Sequence, residues 1–153
     1  VLIFVSSGKN DMDTMTIREK EIESAWRSRI SFTEIDHNYV NPITDNYVAE
    51  VNDAMPDYTK WNKIDYSKMY ESSYETFNEY MTWGLFSLYA KDKFSSENLD
   101  TILQIHTNFM ANTRKFHRFE DFNNELLRQD SLLNQPKLEA LYPPMLKWIK
   151  ENE

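Results

Sequence analysis

The sequence predicts a mainly helical protein with one short strand at its N-terminus. The 153 residues include only two glycines, Gly8 and Gly84, several times fewer than an average usage of about 7% would give. A multi-stranded β protein and a glycine-rich phosphate loop are therefore both disfavoured. Apolar residues recur at spacings of three and four along most of the chain, which is typical of amphipathic helices. The run VLIFVSS at 1–7 has the composition of a strand, the edge or remnant of a small sheet.

The first helix is predicted to begin at Thr16, where a capping-box pattern places Glu19 three residues after the threonine. A residue that precedes proline avoids the α region, so the pair Asn41-Pro42 predicts the end of this helix. Pro42 then suits the first turn of a second helix. The expected apolar stripe of the first helix is Ile22, Trp26, Ile30, Thr33, His37 and Val40.

Four further segments complete the expected helical architecture. Residues 53–66 mix proline, aspartate and asparagine with aromatics and predict a loop, and a long helix is expected over 67–90. After Glu79 this helix is apolar all round, which predicts burial on several sides. A third long helix opens with the serines at 95–96, and another covers about 118–129. The last helix is expected to start near Pro136 and to be interrupted by Pro143-Pro144.

The composition excludes several classes of site. The formal charge is −8 with no Lys/Arg-rich run, which argues against a nucleic-acid surface or an anionic membrane surface. The chain has no cysteine, so thiolate metal ligands, disulfides and a thiol nucleophile are ruled out. No apolar run approaches the roughly 20 residues of a membrane span.

The stretch SFTEIDHNYVNP, residues 31–42, differs by one residue from the His-Glu-x-x-His helix of zinc hydrolases. On a helix, Thr33 and His37 point the same way with Glu34 beside them. In a zinc hydrolase two histidines hold the metal and the glutamate takes a proton from metal-bound water. Thr33 stands at the first of those histidine positions. Glu79 lies where the next long helix becomes apolar, so its carboxylate must be paired, protonated or metal-bound.

Together, TEIDHNYVNP and the downstream NEYMTW resemble an uncharacterised bacterial family with gluzincin-like architecture. In that family a His-Glu-x-x-His helix runs into an aromatic-Val-Asn-Pro ending. The resemblance extends over most of residues 16–148. It implies a zincin-like fold, Glu34 at the general-base position, and His37 and Glu79 at zinc-ligand positions, with the first ligand position vacated at Thr33.

Three functions follow as alternatives from these residues. The first is a metal-dependent hydrolase that uses Glu34, His37 and Glu79. His106 is a further candidate ligand, and use of Glu34 itself as a ligand would suit iron or manganese. The second, which we rank slightly higher, is a degenerate, non-catalytic metallopeptidase homologue whose cleft binds a peptide, a protein or another ligand. The third is a plain helical protein-interaction domain.

Each candidate residue also has an ordinary structural interpretation. His106 lies beside an apolar stripe and is more often a hydrogen-bonded core histidine than a metal ligand. For Glu79 the ordinary alternative is a buried salt bridge to Arg27 or Arg29. Asp36 is expected on the solvated face of the first helix.

We expect one zincin-like domain over residues 1–153. The chain does not begin with Met, and we expect further residues upstream of Val1. The resemblance, the lack of cysteine and this start favour a protein that a bacterium exports to the periplasm or the cell surface.

Overall fold

The computed structural model describes residues 14–63 and 69–153, and within those two ranges it is all-α, without a strand. The predicted strand at 1–7 lies outside the described residues. Five long helices and one short helix form the described part of the chain. They are α1 (Ile17–Thr44), α2 (Val48–Ala54), α3 (Ser73–Lys93), α4 (Ser96–Asn112), α5 (Phe119–Leu132) and α6 (Leu138–Glu151).

Helix α3 is the central helix of the bundle and contacts α1, α2, α4 and α5. Its middle, from Thr76 to Gly84, is buried at every position, which confirms the prediction of a helix covered on several sides. The main core surrounds Tyr80, whose hydroxyl donates to the Trp61 carbonyl at 2.7 Å. None of the helices in the described ranges is long and apolar enough to cross a membrane.

Gly84 lets the side chains of α5 pack directly against the backbone of α3. A Cβ atom at this position would lie 2.7 Å from Leu126 Cδ2 and 3.3 Å from Phe122 Cε1. Both of those side chains are fully buried, so a shift of either would disturb the packing of the core. The missing side chain therefore sets the distance between the two helices at this crossing.

The predicted start of α1 is confirmed, and its predicted end is wrong. Thr16 and Glu19 form the reciprocal capping box. The helix continues through Pro42 to Thr44, where the Tyr142 hydroxyl of α6 lies 2.9 Å from Thr44 Oγ1 and donates to the Val40 carbonyl at 3.2 Å. Val40 and Thr44 are both fully buried. These tertiary contacts hold the turn around Pro42 in helical form against the local preference.

The expected interruption at Pro143-Pro144 is also wrong, because α6 runs without a break from Leu138 to Glu151. Each internal proline costs roughly 3 kcal/mol through a lost hydrogen bond and a ring clash. Burial of one large apolar side chain stabilises the folded state by about 1.5–3 kcal/mol. The buried stripe that offsets the prolines is Leu141, Tyr142, Met145, Leu146 and Ile149.

Asp36 is partly buried rather than fully solvated, and no described residue bonds to its buried Oδ2. Burial raises the pKa of this carboxyl to about 7, although the neighbouring His37 favours the charged form. In the unfolded chain the group ionises near its ordinary pKa of 3.8. Between these values the folded state keeps the proton that the unfolded state has lost. The free energy of unfolding therefore falls as pH rises through this window.

Replacing Asp36 with asparagine is expected to stabilise the protein relative to wild type, increasingly between pH 4 and pH 8. The gain should reach roughly 2 kcal/mol at pH 8, after allowance for partial solvent screening. Urea unfolding of both proteins at several pH values measures it. The exposed Asp92→Asn provides a control and should show no such trend. A constant difference across this pH range would contradict the burial of an ionisable Asp36.

Candidate functional site

A pocket of about 180 Å³ between α1 and α3 collects four of the residues that the sequence singled out. Thr33, Glu34 and His37 reach it from α1, and Glu79 reaches it from α3. The predicted convergence of the motif helix with the Asn78-Glu79 helix is therefore present. The remaining lining residues are Arg29, Ile30, Tyr70, Trp83, Phe109 and Arg114.

The Glu79 carboxylate is buried and fully engaged by protein donors. Its Oε2 accepts from Trp83 Nε1 at 2.9 Å and from Arg114 Nη2 at 3.5 Å, while its Oε1 lies 3.3 Å from His37 Nε2. The buried salt bridge that we considered as the ordinary alternative for Glu79 is present, but its partner is Arg114 and not Arg27 or Arg29. Arg27 pairs with Glu23. The side chain is 6% exposed, so these partners meet the need of a buried carboxylate for compensation.

His37 uses both of its ring nitrogens within the protein. Besides the contact to Glu79, Nδ1 lies 3.3 Å from Asn41 Oδ1 and 3.5 Å from Thr82 Oγ1. Asn78 Nδ2 donates to the same Asn41 oxygen at 2.8 Å. In the protonation states in which Nε2–H donates to Glu79, that nitrogen has no lone pair left for a metal ion. These contacts connect the last third of α1 with the first half of α3.

Thr33 and Glu34 occupy opposite environments. Thr33 is buried, and its hydroxyl donates to the Ile30 carbonyl of its own helix at 3.0 Å. Glu34 is exposed at the rim of the pocket. The Thr33 hydroxyl is therefore satisfied within its own helix, and the Glu34 carboxylate faces solvent.

His106 lies on α4, outside this pocket. It is 1% exposed, its Nε2 lies 3.0 Å from the Trp83 carbonyl, and its ring packs against Phe86 with centroids 4.9 Å apart. Burial lowers the pKa of the imidazole to about 4, so it is neutral near pH 7. This environment is that of a core histidine. It does not bring His106 together with His37 and Glu79 around one point.

The residues of the pocket do not fit a zinc ion. A catalytic zinc usually takes three protein ligands, and no three His, Cys, Asp or Glu side chains in the described ranges are grouped to hold a metal. The one carboxylate and one imidazole that meet here bond to each other. The guanidinium groups of Arg29 and Arg114 line the same space and would repel a dication.

No family model, curated protein or solved structure matches this chain. The resemblance to gluzincins thus rests on the quoted motifs alone.

Arg29 is a pocket residue that we considered only as a salt-bridge partner of Glu79, not as a residue of the candidate site. It is 5% exposed, and its guanidinium carbon lies 3.5 Å from the centroid of the Trp26 ring and 4.0 Å from that of Phe109. Among the described residues, Nε and Nη1 find no hydrogen-bond acceptor. Burial, together with the charge of Arg114, lowers the pKa of Arg29 to about 10, which leaves it charged at neutral pH. The sequence does contain a signal for this position. Arg29 follows Trp26 by three residues and precedes Thr33 by four, a spacing that places all three on one face of a helix.

Arg114 reaches the pocket from the loop after α4. Its Nη2 donates to the Tyr70 hydroxyl at 3.1 Å and to Glu79, whereas its buried Nε has no acceptor within the described part of the chain. Tyr70 and Lys115 both have a φ near +63°, a left-handed conformation that is costly for residues with a side chain. Backbone strain therefore occurs at Tyr70 and beside Arg114. No periodic pattern marks a loop residue of this kind in the sequence.

Proposed function

We propose that this protein is a zincin-like, gluzincin-related binding domain that takes a peptide or a similar ligand in the α1–α3 pocket without a catalytic metal. The observation that carries the proposal is the bonding of Glu79. Its carboxylate is satisfied by Trp83, Arg114 and His37, and a metal would have to replace those donors. The pocket is nevertheless open to solvent, and its lining combines charged side chains with apolar ones, as ligand sites commonly do.

The arrangement of α1 and α3 supports the gluzincin-like part of the proposal. The resemblance implies that the motif helix faces the helix carrying Asn78 and Glu79. The Asn78–Asn41 hydrogen bond and the His37–Glu79 contact are consistent with that arrangement. Export to the periplasm or cell surface is part of the same proposal.

An active metal-dependent hydrolase is the second candidate. In its favour, Glu34 lines the same pocket as His37 and Glu79. A hydrolase of this kind would require Arg114 and His37 to release the carboxylate and a further ligand to approach.

Zinc is expected to leave the melting temperature unchanged. A metal at 100 times its Kd that binds only the folded state would stabilise by about 2.7 kcal/mol. For a chain of this size, that is a rise of roughly 5–10 °C. We expect less than about 1 °C by differential scanning fluorimetry, and no bound metal by elemental analysis of protein purified without chelator.

His37→Ala and Glu79→Gln provide the controls. A zinc-dependent rise in the wild type that both variants abolish would contradict the proposal and favour the hydrolase. A rise that persists in both variants but disappears in His117→Ala would identify an exposed surface site instead, since His117 lies outside the pocket.

A further inference from the structure

The pocket holds one more positive charge than its buried acids neutralise. Arg29 and Arg114 contribute two guanidinium groups, and each lies within 6 Å of the centroid of the Trp83 ring. Of these two arginines, only Arg114 forms an ion pair with Glu79. Glu34 is exposed at the rim, where water solvates its charge. Arg29 is therefore a buried cation that no described acid pairs with, and one monoanion would balance it.

The donors without an acceptor are suited to a carboxylate. Nε and Nη1 of Arg29 and Nε of Arg114 are all buried and, among the described residues, unbonded. A guanidinium group presents its N–H donors in a planar fork that matches the two oxygens of a carboxylate. These three nitrogens have almost no solvent-accessible surface, so an acid bonds to them only when the side chains that cover them shift. A carboxylate that then accepts from them would remove the cost of leaving buried donors unbonded, and this gain would contribute to the binding free energy.

The walls of the pocket indicate what is attached to that carboxylate. Ile30, Trp83 and Phe109 line it beside the two arginines. Ile30 lines the pocket and is 55% exposed, so it offers apolar surface to a ligand. A small apolar group next to an acid group would contact these side chains. A highly charged phosphate ester would leave them uncovered.

We propose that the pocket binds an apolar monocarboxylate, in particular the C-terminal carboxylate of a peptide that ends in an apolar residue, held between Arg29 and Arg114. This inference rests on the proposed function, whose ligand it specifies. Arg29 is the principal anion-binding group, because its charge lacks a partner among the described residues. Arg114 is the second donor, positioned by Tyr70 and Glu79.

The test compares two probes that differ only in charge. N-acetyl-phenylalanine and N-acetyl-phenylalanine amide are titrated into the wild-type protein by calorimetry, in low-salt buffer with EDTA and without phosphate or acetate. We expect the acid to bind at least about tenfold more tightly than the amide, which follows from a charge-assisted pair in a partly buried site. A tetrapeptide ending in phenylalanine should bind at least as tightly as the acetylated residue if the natural ligand is a peptide. Weaker binding of the tetrapeptide would restrict the site to small free acids.

Variants locate the site and separate binding from folding. Arg29→Met keeps most of the side-chain volume, and Arg29→Lys keeps the charge but loses the planar fork. Each should weaken acid binding about tenfold or more and leave the amide unaffected, as should Arg114→Met. Arg27→Met, on the same helix and outside the pocket, should bind as wild type does. Because Arg29 carries a buried unpaired charge, Arg29→Met should melt at or a few degrees above the wild type.

Equal affinity for the acid and the amide would overturn the carboxylate assignment while leaving a binding pocket in place. Acid binding that survives both Arg29→Met and Arg114→Met would also overturn it. Binding of either probe only when zinc replaces EDTA would instead contradict the proposed function. Inorganic phosphate that competes as strongly as the acid would overturn the apolar part of the inference.

Discussion

Replacing Phe122 with alanine is expected to lower the free energy of unfolding by about 3–5 kcal/mol. Phe122 is fully buried in the main core, with its ring centroid 5.1 Å from that of Tyr80 and 6.4 Å from those of Phe77 and Trp148. Its truncation opens a cavity between α3, α5 and α6, where fully buried neighbours have little freedom to collapse. Urea unfolding followed by far-UV circular dichroism measures the loss, with the slope m as a check on two-state behaviour.

Leu132→Ala is the matched control for this experiment. Leu132 lies on the same helix and is 65% exposed, so its truncation should change the free energy of unfolding by less than about 0.5 kcal/mol. If Phe122→Ala cost under 1 kcal/mol, the packing of α5 on α3 described above would be incorrect.

Replacing Glu79 with alanine is expected to cost about 3 kcal/mol of stability. The change leaves Trp83 Nε1 buried without its acceptor and removes the partner of Arg114 and His37. Removal of one member of a buried pair typically costs 3–5 kcal/mol. The lower end applies because the side chains of Arg114 and His37 are 33% and 29% exposed. Chemical unfolding provides the measurement.

Two further variants determine whether the cost comes from these bonds. Glu79→Gln keeps an oxygen that can accept from Trp83 and should lose only about half as much stability. Glu34→Ala removes a carboxylate from the same pocket, but from its exposed rim, and should be nearly neutral. A Glu79→Ala protein as stable as the wild type would show that these bonds do not contribute to the stability of the fold.

The helices themselves were largely predictable from local sequence. Capping at Thr16 and the long apolar stretch of α3 are local signals that tertiary structure reinforces. The start of α3 was not predicted, because the helix was expected from 67 and begins at Ser73, after the Ser72 cap. The ends near proline were not predictable. Pro42 and Pro144 lie inside helices because distant residues, such as Tyr142 across from Thr44, contribute more than the local penalty. Contacts about 100 residues apart leave no trace in a local pattern.

The site was predictable in its positions and much less so in its chemistry. The spacing that placed Thr33 and His37 on one face, with Glu79 opposite, matches the pocket that these residues line. Neither arginine was predicted as a site residue, for different reasons, although Arg29 was considered as a salt-bridge partner of Glu79. Arg29 has helical spacing but belongs to a residue type that is rarely buried, and Arg114 lies in a loop whose course depends on the whole fold. Without them, a histidine beside a glutamate suggests a metal site.

The close crossing at Gly84 restricts the order in which mutations can reshape this molecule. Helix α3 presents Glu79 and Trp83 to the pocket, and Gly84 meets the side chains of Leu126 and Phe122. A larger residue at position 84 would push α3 away from α5 and displace the pocket wall with it. A lineage could therefore acquire a side chain at position 84 most readily after a smaller residue had replaced Leu126, whose methyl group is the nearest atom. Until then, the packing of α3 against α5 limits which substitutions the pocket-lining side of α3 can accept.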